Sequence, residues 1–569
     1  MQKYLSLNTL AILVIAALLL ISPIYWQKSP GGFGLDLPIN NLVWFFISIL
    51  IALGFYKIHQ NKFILANPIV KAASLFVLFL LLPLLYQSET NVDIYAGRVA
   101  GLIGLLLLLF SLTQFNFSSK DKRLLLILVI AYFVIETVIG LAQVYSAYTM
   151  MESLTRASEG SILQPNIQSI FMVAGFSLVY YLQANDDEKD LKRYNNNFYL
   201  IAYFLIFLFG LSFGFTGSRI GFLALVFSVI FWLLHIYINK NKRKHTVKFI
   251  IATFILLVGI VISYAIKQQT NSEEREVFSA NQRVETYTVT LELIKENPLL
   301  GIGYGMYPKK VLDKYSAMVA SDKLKVAKAI EKNITHPHNE LLFWWVEGGI
   351  ICLLAFIIFG VWYLLFIRET YAQSLPFLIF LIPFIFIGMT DIPYYSSATL
   401  VFIVIVFISC MSQNIRCNKV KFKAQIPFSF FTIIIAFSSS IFFFTNLHTI
   451  HQVRTYLTSS PTTTKYLNQI VNPLVWKNRI DFYQYAAHVD YGREQNRPQS
   501  CQPYTNWATQ QLEHTYYRRY FYYLALAYDC TGQKKELKSI LERMNYLYPG
   551  HDLFKKWLND VEKTGKLNI

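Results

Sequence analysis

The chain reads as an all-α polytopic membrane protein with about 13 transmembrane helices, and three observations lead there. Apolar runs long enough to cross a bilayer recur from end to end. Hydrophobic residues make up 54% of the sequence against 15% charged, with a mean hydropathy of +0.40. The basic residues gather in alternate loops, the asymmetry that orients membrane helices.

In chain order, the first apolar run, Leu7 to Trp26, looks like a signal peptide. It lacks a small-x-small cleavage site and many more spans follow, so it reads as an anchored helix. Further spans are expected at about 41–56, 68–86, 97–113, 124–146, 168–184, 197–214, 219–238 and 247–266, and then at 338–367, 374–390, 396–412 and 426–446. Residues 1–266 thus carry helices one to nine and 338–446 helices ten to thirteen. Between them, 267–337 holds eleven basic and nine acidic residues, too polar to be a span. Residues 447–569 form a C-terminal domain outside the bilayer.

A net charge of +17, from 51 basic and 34 acidic residues, would suggest nucleic acid in a soluble protein. Its distribution removes that reading. Clusters occur at Lys57, Lys62 and Lys71; Lys120, Lys122 and Arg123; Lys189, Lys192 and Arg193; Lys240 through Lys248; and Arg416 through Lys423. The intervening short loops hold little besides Lys28, Arg98, Arg156 and Arg219. This positive-inside pattern puts the N-terminus in the cytoplasm, and an odd span count puts the 267–337 loop and the C-terminal domain on the opposite, periplasmic side.

The C-terminal domain carries Cys501 and Cys530, which an oxidising compartment allows to pair; two buried free thiols are the alternative. From Tyr516 to Trp557 the apolar spacing is helical. One run, through Leu524 and Leu526, breaks at Thr531-Gly532, and a second, through Leu537 to Leu547, ends at Pro549-Gly550. The pattern resembles one helix–turn–helix unit of the tetratricopeptide (TPR) type. Arg518, Arg519 and the surrounding tyrosines suit either a glycan or polypeptide surface or, more simply, a packed hairpin with a solvated face.

The densest chemistry lies in Thr335-His336-Pro337-His338-Asn339-Glu340, where a polar loop re-enters an apolar segment. Pro337 suits a first helical turn, which places His338 and Asn339 in the N-terminal turn where an anion is favoured. From His338 to Phe366 a continuous helix would run about 43 Å, longer than hydrocarbon is thick, so it stands above the core, tilts, or breaks near Gly348-Gly349. An imidazole there serves as a general base on a hydroxyl or donates to a phosphate; helix capping is the plainer role. Metal binding ranks last, because i, i+2 is poor helical ligand spacing.

Gly217-Ser218-Arg219 sits in a hairpin so short that Arg219 lies at or inside the membrane surface. A phosphate-bearing headgroup fits it, and snorkelling is the competing explanation. Arg283 opens an amphipathic run ending in Asn297-Pro298-Leu299-Leu300-Gly301-Ile302-Gly303-Tyr304-Gly305, a tight loop against membrane or ligand rather than a nucleotide fingerprint. Gln164-Pro165-Asn166 and Asp391-Ile392-Pro393-Tyr394-Tyr395 occupy outer loops. By this count Gln164, Arg219, Arg283, His338 and Tyr394 or Tyr395 fall on one side of the membrane, as a lateral cleft requires.

Thr216-Gly217-Ser218-Arg219, Arg283 with the Asn297–Gly303 stretch, and His336-Pro337-His338-Asn339-Glu340-Leu341-Leu342 together resemble the O-antigen ligase superfamily. Gln164-Pro165-Asn166 and the C-terminal extension are similar to its PglL-type branch, the bacterial O-oligosaccharyltransferases. The resemblance is motif-specific over roughly Gln164 to Tyr395 and architectural elsewhere. It implies a multi-pass enzyme of the bacterial inner membrane that needs no bound cofactor or metal. Such an enzyme moves an oligosaccharide en bloc from undecaprenyl-diphosphate to serine or threonine of periplasmic or pilin-like proteins. By motif match, Arg219 and Arg283 hold the diphosphate and His338 activates the acceptor hydroxyl. Gln164, Asn166, His336, Asn339, Tyr394 and Tyr395 are the expected substrate-binding residues. One departure is that a Glu-Tyr-Pro-like stretch, expected in the last outer loop, reads Asp391-Ile392-Pro393-Tyr394-Tyr395 here.

Two other readings compete. An O-antigen ligase or polymerase shares the chemistry and differs in acceptor, lipid A core or glycan in place of protein. A transporter or flippase would show repeated halves and charges near the midplane. No repeat is visible, and the polar candidates gather at one face.

Overall fold

The computed structural model describes residues 6–25, 31–149, 157–184, 197–238, 242–267, 273–327, 330–332, 334–369, 371–412, 417–421, 426–459 and 464–567. Lys28, Arg156, Lys189, Lys192, Arg193, Lys240, Arg416 and Lys423 lie outside the described residues. The protein is an all-α, multi-pass membrane protein. Among the described residues nine helices are long and apolar enough to cross a membrane: Pro38–Asn61, Pro68–Leu85, Val92–Thr113, Ser119–Ala147, Pro165–Ala184, Asn197–Thr216, Arg219–Ile238, His245–Lys267 and Phe428–Thr458. Four shorter apolar helices accompany them: Leu7–Ile21, Ile350–Phe366, Leu375–Gly388 and Ala398–Ser412. Helices are the economical answer to hydrocarbon, because each satisfies its own backbone hydrogen bonds.

The chain divides into two compact units. The first comprises Met1–Leu75, Gly101–Glu273 and Ile358–Phe444. At its centre runs Pro165–Ala184, of whose 20 residues 15 are buried. Asn197–Thr216, Arg219–Ile238, Tyr371–Gly388 and Ser119–Thr149 pack around it. Glycine sets the closest approach. A Cβ on Gly210 would lie 2.2 Å from the Leu256 carbonyl oxygen, and one on Gly259 2.6 Å from that of Phe207. The Asn197–Thr216 and Lys242–Lys267 helices therefore meet backbone to backbone, as small residues permit in membranes. Their outward faces carry Leu200, Phe204, Phe254 and Val261, all exposed. One departure from a purely helical plan is a two-stranded antiparallel clip, in which Phe63–Ala66 pairs with Asn418–Lys421.

The second unit comprises Phe76–Ala100, Glu274–Ile357 and Thr445–Ile569. Its C-terminal part holds five α-helices, Lys477–Glu494, Gln502–His514, Arg518–Thr531, Lys534–Leu547 and Asp552–Thr564, so the hairpin expected around Gly532 sits inside a longer stack. Cys501 and Cys530 form a disulfide. This stack packs on the polar segment that precedes the histidine motif. Ser316 Oγ donates to the Leu547 carbonyl at 3.2 Å, and the carboxylate of Glu331 accepts from Gly550 N–H at 2.7 Å and from the Tyr315 hydroxyl at 2.9 Å.

One helix outruns its expected bounds, and another takes one of the three forms its length allowed. The last apolar helix runs Ile426–Thr458, well past residue 446, because helix-compatible residues continue through Asn446, His448 and Gln452. The segment expected at 338–367 breaks, as its excess length allowed, into two helices, Glu340–Gly348 and Ile350–Glu369, separated at Gly349. Gly349 is left-handed, with φ +74°, and a Cβ there would lie 2.1 Å from the Leu299 carbonyl oxygen, the same oxygen that accepts from Ile350 N–H at 3.2 Å.

Replacing Gly349 with Ala should therefore destabilise the protein by about 2 kcal/mol or more, through the left-handed backbone and the clash together. Gly360→Ala, whose Cβ would meet nothing within 4 Å, should be neutral or slightly stabilising. Thermal unfolding of both variants in one detergent checks the contrast.

Candidate functional site

In the first unit the outer-loop motifs meet on one carboxylate. Gln164 Nε2 and Asn166 Nδ2 donate to Asp391 Oδ2 at 2.7 and 2.8 Å, and Asp391 Oδ1 accepts from Ile392 N–H at 2.9 Å. Asn166 Oδ1 in turn accepts from Ser218 Oγ at 2.9 Å. Ser218 caps the helix that starts at Arg219, its Oγ accepting from Gly221 N–H at 3.1 Å. Gly217 makes the turn possible with φ +65°. This chain of bonds ties Gln164, Asn166, Asp391 and the Gly217–Arg219 turn into one network, leaving the Arg219 side chain exposed at a helix N-terminus. Gln164 Oε1 is buried without a hydrogen-bond partner among the described residues.

Two groups support this network that sequence reasoning did not single out. Glu136, fully buried in its apolar helix, accepts from Ser161 N–H at 2.8 Å and from Ser161 Oγ at 2.5 Å, holding the turn that leads into Gln164. Lys267 brings its ammonium to Gly217, where a Cβ would lie 2.4 Å from Nζ. A lone carboxylate in an apolar run was the available signal for the first. The second lies 50 positions from Gly217 in sequence, and no local pattern marks it. Tyr394 donates its hydroxyl to the Phe384 carbonyl at 2.9 Å, and Tyr395 follows it in the short Pro393–Ser396 helix.

In the second unit the histidine motif takes a different form from the one expected. Asn339, not Pro337, opens the helix: it is the N-cap, and its Oδ1 accepts from Leu342 N–H at 3.0 Å. His338 stands before the helix, in the left-handed region at φ +58°. Non-glycine residues rarely adopt this conformation, and where they do it commonly marks a functional constraint. Two bonds impose it. His338 N–H donates to His336 Nδ1 at 2.8 Å, and the His338 carbonyl accepts from the Tyr287 hydroxyl at 3.3 Å. Arg283 stands one helical turn before Tyr287 on the Glu273–Glu296 helix, hence on the same face.

The division of labour between the two imidazoles follows. His336 is buried; its Nδ1 accepts from a backbone amide, and its Nε2 lies 3.5 Å from the buried carboxylate of Glu340. With Nδ1 used as an acceptor, the neutral ring carries its proton on Nε2, facing Glu340. Burial pushes the His336 imidazole below its ordinary value; Glu340 pulls partly the other way, and the charges of His338 and Arg98 add to the lowering. His336 is thus buried and engaged with the backbone and Glu340, while the His338 ring is half-exposed.

Behind the motif lies a buried ion pair. Arg98 binds Glu347 through its guanidinium, with side chains 6% and 0% exposed. The guanidinium also lies over Tyr304, Phe343 and Trp344, at 4.9, 4.5 and 4.6 Å from the ring centres. Glu347 Oε1 accepts from the N–H groups of Gly305 and Tyr307 at 3.0 and 3.2 Å. The alternate glycines of this loop therefore face the chain's own backbone, not membrane or ligand. A Cβ on Gly301, Gly303 or Gly305 would lie 2.4, 2.0 or 2.4 Å from the carbonyl oxygens of Glu347, Glu89 and Asn91. Arg98, placed among loop charges by its position in the sequence, belongs to this core. Among the described residues, no group of three or more His, Cys, Asp or Glu side chains is arranged to hold a metal ion.

Two family models match parts of the chain. Residues 204–357 match the O-antigen ligase family. That stretch, about a quarter of the chain, is similar to an O-antigen ligase domain. Residues 389–561 match a second family, described as virulence factor membrane-bound polymerase, C-terminal. Together the two matches support the O-antigen ligase superfamily. No curated protein compared with the chain matches it. The first matched segment contains Arg219, Arg283, His336, His338, Asn339, Glu340 and Glu347, and the second contains Asp391, Tyr394, Tyr395 and the disulfide. Gln164, Asn166, Glu136 and Arg98 lie outside both matches; in the first unit Gln164 and Asn166 bond Asp391 and Glu136 bonds Ser161, and in the second Arg98 binds Glu347.

Two predictions follow from the burial of these groups. Arg98→Met should cost about 3–5 kcal/mol, because it strands the Glu347 carboxylate in the interior, and Arg98→Met combined with Glu347→Met should recover much of the loss; thermal unfolding reads both. For His336 the folded imidazole titrates below the unfolded value of about 6.5, so the unfolded chain takes up the proton first as pH falls. Stability is complete above about pH 6.5 and declines as pH drops toward the folded value. The slope between about pH 6.5 and 5 should be shallower in His336→Gln, measured by denaturation across that range.

Proposed function

We propose that the protein transfers an oligosaccharide en bloc from a lipid diphosphate carrier, undecaprenyl-diphosphate, to serine or threonine hydroxyls of proteins, as a PglL-type O-oligosaccharyltransferase. The reading is supported chiefly by His338, which is held in a left-handed conformation by His336 and Tyr287 inside the O-antigen ligase segment. In this reading the acceptor hydroxyl attacks the anomeric carbon and gives its proton to His338. The carbon–oxygen bond to the carrier breaks, and its electrons leave with the lipid diphosphate. Arg219 and Arg283 stabilise that departing anion, and Lys267 adds a third cation by the Gly217 turn. In this reading Gln164, whose Oε1 has no partner among the described residues, and Asn166, Asn339 and Tyr395 contact the substrate.

The orientation proposed is an N-terminus in the cytoplasm, the histidine motif and C-terminal domain in the periplasm, and the spans in the bacterial inner membrane. The Cys501–Cys530 disulfide supports it, since disulfides persist in oxidising compartments. A second reading is favoured by the polymerase description of the 389–561 match: the same chemistry with lipid A core or a glycan as acceptor.

The test is reconstitution of the purified protein with lipid-linked glycan and candidate acceptors, beside Arg219→Ala and His338→Ala. Glycan should appear on serine or threonine of a protein, with each variant slower by about 100-fold or more. Transfer only to lipid A core or to glycan would establish the second reading. Transfer undiminished in both variants would remove these residues from the chemistry.

A further inference from the structure

The C-terminal helices carry a surface groove outside the residues discussed so far. Along the Gln502–His514 helix, Gln502, Asn506 and Gln510 recur every fourth residue and so line one face, about 6 Å apart at each step. Pro503 and Trp507 stand beside them, Tyr485 comes from the Lys477–Glu494 helix, and Gln499 from the turn between. Tyr485 and Trp507 are stacked, with ring centres 5.6 Å apart and planes inclined by 28°. The Trp507 indole is 9% exposed, and its Nε1 donor is buried without a hydrogen-bond partner among the described residues.

The chemistry of the lining is selective. In a chain with 51 basic and 34 acidic residues, the groove contains neither kind. That disfavours phosphate, nucleic acid and charged peptides, which recruit guanidinium, ammonium or carboxylate groups. Four exposed amides offer donors and acceptors side by side, the pairing that a hydroxyl, itself donor and acceptor, matches at every position. Aromatic and proline faces next to them receive the apolar C–H faces of sugar rings. The amides are also pre-set. Gln502 Nε2 donates to Thr505 Oγ1 at 2.8 Å and Asn506 Oδ1 at 3.3 Å, and Gln502 Oε1 accepts from Gln533 Nε2 at 3.2 Å. The disulfide joins Cys501, between Gln499 and Gln502, to Cys530 of the Arg518–Thr531 helix, fixing the rim of the groove.

We propose that this groove binds a neutral stretch of oligosaccharide, with sugar rings against Tyr485 and Pro503 and hydroxyls on the amide ladder. It deepens the proposed glycan transfer and rests on that reading for the source of its ligand: the groove holds sugars of the donor remote from the diphosphate. Binding energy from a remote part of the substrate then contributes to positioning the reacting end.

The experiment uses the full chain in lipid nanodiscs and, as probe, the free oligosaccharide released by mild acid from the lipid-linked pool of the same host. Titration calorimetry should show binding to the wild type and to Arg219→Ala, and about tenfold or weaker binding to Gln499→Ala combined with Gln510→Ala, both exposed positions. Retention of the melting temperature and of the disulfide establishes that the double variant is folded. Equal affinity in wild type and double variant, or no binding to the wild type, overturns the proposal. Binding of an acceptor-derived peptide that the double variant alone loses, with the glycan unaffected, replaces it with a peptide groove. Since the measurement needs no turnover, absence of glycan transfer in the reconstituted system would refute the proposed activity while leaving the groove result to stand.

Discussion

The Arg98–Glu347 pair is the interaction on which the second unit depends. One carboxylate receives a guanidinium from the Val92–Thr113 helix and two amides from the 303–307 loop, while sitting at the end of the Glu340–Gly348 helix. Three segments distant in sequence are thereby fixed at one point. The cost of removing both charges from water is offset only because each is met, the guanidinium by carboxylate and ring faces, the carboxylate by guanidinium and amide hydrogens. The glycines at 301, 303 and 305 follow from the same constraint, since only a chain without side chains approaches Glu347, Glu89 and Asn91 so closely.

That fixed point positions the histidine motif. The helix bearing Glu347 begins at Asn339, and its first turn presents Glu340 to His336. His336 accepts the amide of His338 and so bends the backbone into the left-handed region. A strained residue persists only where its surroundings over-determine it, and here the surroundings are a cap, an imidazole and a tyrosine hydroxyl. In the first unit a comparable role falls to Asp391, which gathers Gln164 and Asn166, and through Asn166 the serine that caps the Arg219 helix. In both units a buried carboxylate organises amide and hydroxyl groups, and a cationic or basic side chain is left at the surface beside them.

The glycan-transfer reading and the groove in the C-terminal helices make different demands on charge. A leaving diphosphate needs cations, and under that reading Arg219 and Lys267 of the first unit and Arg283 of the second are the candidates to supply them. A neutral sugar chain needs none, and the groove between Tyr485 and Gln510 has none. The disulfide at its rim stabilises a small helical stack chiefly by limiting the unfolded chain.

Apolar run length and spacing determined by themselves that the chain is helical and membrane-spanning, because hydrocarbon leaves the backbone no other economical choice. Motif residues such as Arg219, His338 and Gln164 were legible for a related reason: polar groups at membrane edges are costly and stand out. The break at Gly349, the cap at Asn339 and the two-stranded clip were not settled by local sequence. Each depends on a partner elsewhere in the chain: Leu299 against Gly349, His336 drawing His338 out of the helix, Asn418–Lys421 beside Phe63–Ala66. Arg98 looked like a loop charge until folding supplied Glu347, and Glu136, unmarked by any motif, gained its role only through Ser161. What only the tertiary structure decided is which polar groups face one another, since hydrogen bonds and ion pairs are set by distance in space, on which sequence separation is silent.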